Sequence, residues 1–160
     1  MAKKLSLKEA TERACRFCAY RERSPNEVYE KVKSWGLPDS QSKELVSILI
    51  GLEFIDEQRF ANAYCNDKFE FNSWGKQKIK AHIYTYQVPE RVIVQALDNI
   101  DEEKYQRRLF RLAEKKWKTL LGDEPERQKQ KTASYLLHKG FELDLVWKAI
   151  GLLEKGKDRR

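Results

Sequence analysis

The sequence predicts an all-α fold, three tandem three-helix repeats forming an elongated, curved array. Three observations predict it. Charged residues make up 36% of the 160 positions against 7 glycines and 4 prolines, a composition that suits exposed helix faces and exceeds the ~25% charge of an average globular chain. Apolar residues recur at helical spacing, and no alternating run is long enough to make a strand. The pattern also repeats. An offset of 51 pairs Pro38 with Pro89, Val28 with Ile79, Val32 with Ile83, Leu37 with Val88 and Val46 with Leu97. An offset of 104 pairs Val32 with Leu136, Gly36 with Gly140, Leu37 with Phe141 and Val46 with Ile150.

The first repeat, 1–55, opens on Ser6 and Glu9, a capping box in which side chains satisfy the free amides of the first turn. Ala10, Ala14, Phe17 and Cys18 share one face of that helix. Ser24-Pro25-Asn26-Glu27 starts a second helix, since serine caps, proline suits the first helical position and glutamate reaches back. Val28, Val32 and Trp35 continue it, and Gly36 ends it in the left-handed conformation. Pro38-Asp39-Ser40 opens a third helix carrying Leu45, Ile48, Leu49 and Leu52.

The second repeat, 56–101, runs from Asp56-Glu57 through Phe60, Ala61, Tyr64 and Phe71 and breaks at Asn72-Ser73-Trp74-Gly75. Ile79 and Ile83 mark its middle helix, and its last follows Pro89. The third repeat, 102–154, has a longer first helix, about 102–121, a turn at Gly122-Asp123-Glu124-Pro125, and two helices carrying Tyr135 to Leu137 and Val146, Trp147, Ile150 and Leu153. Residues 155–160 read as a basic, disordered tail.

The formal net charge of +7 is uneven. Residues 1–55 carry ten basic and eight acidic side chains, residues 56–103 six and nine, and residues 104–160 sixteen and eight. The excess in the last segment points to a polyanionic partner. The N-terminus lacks a secretory h-region, and no window approaches the ~18 apolar residues of a spanning helix. The expectation is a cytoplasmic monomer with no membrane contact.

Catalytic and metal chemistry find little support. Cys15 and Cys18 have zinc-like spacing, but a structural zinc site needs four ligands. Cys65, His82 and His138 are scattered over different helical units, so core packing is the simpler role for the thiols. No glycine-rich phosphate loop is present. Asp56-Glu57 and Asp101-Glu102-Glu103 open helices, where the helix dipole favours them. No cofactor, metal or catalytic residue is expected.

A basic stripe is the strongest functional feature. At 100° per residue, Lys104, Arg107, Arg111, Lys115 and Lys118 fall within about 80° of one another. Leu109, Leu112, Ala113, Trp117 and Leu120 lie opposite and are expected in the core. Five like charges on one face repel unless an anion neutralises them, although a solvated face is the plainer alternative. Arg127, Lys129 and Lys131 extend the positive region, and Lys76 and Lys80 share a face after Gly75.

The segment Asp56-Glu57-Gln58-Arg59-Phe60-Ala61-Asn62-Ala63-Tyr64 resembles the most recognisable stretch of the RecX family. Arg23-Ser24-Pro25-Asn26-Glu27-Val28 and Gly75-Lys76-Gln77-Lys78-Ile79 resemble its first- and second-unit helix starts, and Tyr135-Leu136-Leu137-His138-Lys139-Gly140-Phe141 its third-unit helix end. The resemblance covers roughly 8–153 in the expected order. It implies three three-helix units that bind the RecA filament on DNA and limit ATP hydrolysis and strand exchange, with weak, non-specific contact to single- or double-stranded DNA. It supplies no catalytic residues. Asp56, Arg59, Phe60, Ala61, Gly75, Gly140 and Phe141 match its motifs, and for Arg59 and Phe60 a structural role, pairing with an acid and filling the core, stands beside the functional one. Ile83–Val88 lacks the glycine and basic residues often found there in the family, and Trp35 stands where a basic residue is frequent. Both departures shift the expected contacts toward residues 104–131. Direct DNA binding without a recombinase is the alternative function.

Overall fold

The computed structural model describes residues 5–158. Among them the elements are α1 (Leu7–Tyr20), α2 (Pro25–Ser34), α3 (Asp39–Gly51), α4 (Glu57–Asn72), α5 (Lys76–Ile83), a 3-10 turn (Tyr84–Tyr86), α6 (Glu90–Asp98), α7 (Glu102–Thr119), α8 (Pro125–His138) and α9 (Leu143–Asp158), with no strand. The order is that of tandem three-helix repeats.

The helix boundaries follow local chemistry. Ser24 and Glu27 form the reciprocal capping box, with the Glu27 amide donating to Ser24 Oγ at 3.0 Å and the Ser24 amide to Glu27 Oε1 at 3.0 Å. At α1 the Ser6 oxygen accepts from the Glu9 amide at 3.1 Å. Asp56 and Asp101 accept from the amides of Arg59 and Lys104, each at 3.0 Å, and so cap α4 and α7. Each such cap contributes about 0.5–2 kcal/mol.

The repeat offsets correspond to equivalent backbone and burial. Val32, Ile83 and Leu136 are fully buried, as are Val28 and Ile79, and Leu37, Val88 and Phe141 are nearly so. The end of the second helix in each repeat is the most informative. Gly36 and Gly140 have φ of 95° and 98°, and Gln87, at the equivalent position of the middle repeat, has φ 57°. The middle repeat therefore makes the same left-handed exit without a glycine, at a cost of roughly 1–2 kcal/mol for a side chain in that region.

The described residues divide into two compact units. One holds the residues up to Tyr64 together with Ile83–Ala96, and the other Cys65–His82 with the residues from Leu97 onward. The middle triplet is thus shared between the two. In the first unit Ala10, Ala14, Cys18, Val28, Val32, Leu37, Leu45, Leu49 and Ile55 form the core. Arg23 is buried beside it, its guanidinium 3.7 Å from the Phe17 ring centre and its Nε donating to Phe17 O at 3.0 Å. In the second unit Phe69, Tyr105 and Phe141 pack as a chain of rings with centroids 5.6 and 5.3 Å apart.

Several apolar positions fall elsewhere than expected. Ile48 and Leu52 are exposed, and the buried face of α3 is Ser42, Leu45 and Leu49, because the helix turns its i, i+3, i+7 row inward. Phe71, at the last turn of α4, is 83% exposed. Phe17, Leu112 and Leu120 are half-buried rather than core. α9 runs through Lys155 and Gly156, in place of the expected disordered tail. Lysine near a helix C-terminus complements the dipole, which favours that continuation. Arg159 and Arg160 lie outside the described residues.

Candidate functional site

α7 is the scaffold of the candidate site. Its buried row is Tyr105, Leu109, Ala113 and Trp117, spaced four residues apart so that one stripe faces the core. The cationic row therefore points outward, and Lys104, Arg107, Arg111, Lys115 and Lys118 are all exposed.

They are not equivalent. Lys104 Nζ lies 2.9 Å from Glu70 at the end of α4, and Lys118 3.6 Å from Glu114 one helical turn earlier. The Lys104 ammonium, with Arg108, holds the Glu70 carboxyl below the usual carboxylate range. Internal acids thus answer both ends of the five-residue stripe, a correction to the view that it awaits an external anion throughout. Arg107, Arg111 and Lys115 have no ion pair among the described residues. The uncompensated ridge is these three side chains.

Most of the remaining predicted contacts are also paired. Lys129 bridges Glu126 and Glu154 at 3.3 and 3.2 Å, and those carboxylates raise its pKa. Lys131 meets Asp123 at 3.1 Å. Lys76 reaches Glu102 at 3.4 Å and lies 4.8 Å from the Tyr105 ring centre. Lys80 is half-buried on α5. Arg127, exposed on α8, makes no ion pair among the described residues. Exposed pairs of this kind contribute only ~0–1 kcal/mol, so phosphates can compete for the paired lysines.

The motif residues build structure. Phe60 and Ala61 are buried. Arg59 Nε donates to Glu22 at 2.6 Å and its terminal nitrogen to Glu53 O at 3.0 Å, and Glu22 raises its pKa further. Gly75 and Gly140 let two backbones touch. The Gly75 amide donates to Lys139 O at 2.7 Å and the Gln77 amide to Gly140 O at 2.9 Å. Directly beneath, the buried Tyr105 hydroxyl accepts from the Lys76 amide at 2.9 Å and donates to Glu142. Phe141 packs on the Tyr105 ring.

Arg108 went unremarked in the sequence because it stands only slightly off the cationic row. Its guanidinium donates to Phe69 O at 2.9 Å and Ser73 Oγ at 3.1 Å, meets Glu70 at 3.4 Å and stacks on Phe69. It fixes the end of α4 against α7 and is unlike its neighbour Arg107 in every respect but charge. Cys18 and Cys65 are buried, with Cys15 half-buried. No group of three His, Cys, Asp or Glu side chains among the described residues has metal-binding geometry. No helix among them is long and apolar enough to cross a membrane.

Comparison with known proteins assigns this arrangement. Residues 56–97 match the model of the second three-helix domain of RecX, and residues 102–150 that of the third, together more than half of the chain. Regulatory protein RecX of Clostridium tetani is 28% identical over 130 residues, which is 80% of this chain and 59% of that protein. Its counterpart in Clostridium perfringens strain 13 is 29% identical over 124 residues, 76% of this chain and 58% of that one. The chain thus spans a little over half the length of these relatives. The crystal structure of RecX from Lactobacillus salivarius superposes with a TM-score of 0.86 at 22% identity, over 92% of this chain and 96% of that one. Two matched three-helix domains on an all-helical repeat place the assignment beyond the reach of any single motif, and the chain belongs to the RecX family.

Proposed function

We propose that this protein is a regulator that binds the RecA recombinase filament on DNA and lowers its ATP hydrolysis and strand exchange, acting by binding and making or breaking no bond. The observation that carries the reading is the ridge of Arg107, Arg111 and Lys115, three exposed cations without internal partners on a helix of the third RecX domain. Such a ridge suits a surface of regularly spaced negative charge. Lys104, Lys118, Arg127, Lys129 and Lys131 form its margin, and Lys76 and Lys80 a smaller cluster on α5. The repeats are 1–55, 56–101 and 102–154, a division supported by the starts of the two matched domains at 56 and 102. The protein works in the cytoplasm as a monomer, and its DNA contacts are weak and non-specific.

The test is co-sedimentation with RecA on single-stranded DNA, with ATP hydrolysis followed in parallel. The parent protein is expected to sediment with the filament and to lower the ATPase rate below equimolar ratio. Arg107→Glu, Arg111→Glu and Lys115→Glu together are expected to abolish both effects without changing the melting temperature by more than a few degrees. No change in ATPase at equimolar protein overturns the proposal.

A further inference from the structure

The turn that joins α8 to α9 carries a lysine held quite differently from Lys129 or Lys131. Lys139, the residue that ends α8, is half-buried, and its Nζ donates to Asn72 O at the end of α4 at 2.8 Å. Lys78, in the first turn of α5, stands against the same turn: a Cβ added to Gly140 would fall 2.3 Å from the Lys78 Cβ and 2.6 Å from its backbone nitrogen. The Lys78 ammonium lies 4.7 Å from the centre of the Trp74 ring. Neither Lys78 nor Lys139 makes an ion pair among the described residues.

An amine that is partly buried, has no carboxylate partner and sits beside a second cation is driven toward its neutral form, whose nitrogen lone pair is a nucleophile. Burial, and then the Lys78 charge, hold the Lys139 amine below its ordinary range. The contact with Asn72 does not oppose this, because a neutral amine still has N–H groups to donate to a carbonyl. Lys129 is the opposite case, since Glu154 and Glu126 raise its pKa. Lys78 meanwhile offers a positive charge at the same turn, suited to a phosphate. An acyl phosphate presents both halves of a match, a carbonyl carbon for the amine and a phosphate for the ammonium.

We propose that Lys139 is a site of acylation by acyl phosphates, with Lys78 holding the phosphate group. The lone pair of Lys139 Nζ attacks the carbonyl carbon, and the bond from that carbon to the bridging oxygen breaks. Inorganic phosphate leaves with the electron pair, and the surplus proton on the nitrogen passes to solvent. The product is a neutral amide that keeps one N–H for Asn72 O and takes one positive charge from the turn. The step uses neither the α7 ridge nor a recombinase, so its failure and that of the filament reading are distinguishable.

The probe is acetyl phosphate, added to the folded full chain at pH 8, with acetylation at each lysine followed in time by peptide mass spectrometry after cleavage at residues other than lysine. Lys139 is expected to react at least about fivefold faster than Lys129, and the difference to vanish in urea, where burial and neighbouring charges are lost. Lys78→Gln is expected to slow Lys139 by about threefold or more, and Lys78→Arg, which keeps the cation, to retain most of the rate. An uncharged acetyl ester, which has no phosphate to hold, is expected to be slowed less by Lys78→Gln. Inorganic phosphate is expected to protect Lys139 from acetyl phosphate in the parent, a measurement that needs no variant to fold. The proposal is overturned if Lys139 of the folded chain reacts no faster than Lys129, or if inorganic phosphate gives no protection. It is equally overturned if a folded Lys78→Gln reacts like the parent, or slows the uncharged ester as much as acetyl phosphate.

Discussion

Replacing Gly75 with alanine tests the backbone contact that joins the start of α5 to the turn between α8 and α9. A Cβ at Gly75 falls 2.3 Å from the carbonyl carbon and oxygen of Gly140 and 2.4 Å from the Phe141 nitrogen. Ordinary carbon–carbon contacts lie at about 3.5–4.0 Å, and the obstruction is main chain, which has no rotamer to change. Relief requires the turn to move away, which strains or breaks the hydrogen bonds from Gly75 to Lys139 and from Gln77 to Gly140. Overpacking costs ~1–3 kcal/mol and each lost hydrogen bond ~0.5–1.5 kcal/mol, which gives about 2–6 kcal/mol in all. At ~2–4 °C per kcal/mol for a domain of this size, a mid-range loss of ~4 kcal/mol lowers the melting temperature by about 8–16 °C. The matched control is Gly151→Ala, the same chemical change inside α9, where an added Cβ meets nothing within 4 Å. There alanine raises stability by ~0.5–1 kcal/mol through helix propensity. Thermal and urea unfolding followed by circular dichroism measure both. The reasoning is refuted if Gly75→Ala melts within 2 °C of the parent, or if the two variants shift in the same direction.

Two further predictions concern buried groups of the core. Tyr105→Phe deletes a hydroxyl that partners the Lys76 amide and Glu142 and leaves both with one partner fewer, so the urea midpoint should fall by the equivalent of about 1–3 kcal/mol; a loss under 0.5 kcal/mol contradicts the network. Burial pushes the Cys18 thiol from its ordinary value of 9.0 up to about 11 and the Cys65 thiol up to about 12. Both are therefore expected to resist a thiol-reactive chromogen at pH 8 until urea unfolds the chain. Because the folded state holds these protons more tightly, stability is full below pH 9 and declines as pH rises through 11 to 12; rapid labelling of both thiols in the native protein, or stability that rises over that range, counts against it.

The sequence by itself determined the helical class, the repeat, most helix starts and ends, and the family. These are local properties: a serine cap, a proline at the first helical position or an i, i+3, i+4 apolar row acts within a turn or two of itself. Equivalence at offsets 51 and 104 extended that reach, and even Gln87, lacking the expected glycine, takes the left-handed exit of Gly36 and Gly140. Only the tertiary structure decided which cations stay uncompensated. Lys104 is answered by Glu70 and Lys129 by Glu154, partners distant in sequence, whereas Arg107, Arg111 and Lys115 are answered by none among the described residues. The close approach of Gly75 to Gly140 is likewise a product of the tertiary fold. Helical periodicity fixes the direction of a side chain from its own axis, but its counter-charge is brought there by chain folding, and Coulomb attraction depends on that through-space distance rather than on sequence separation.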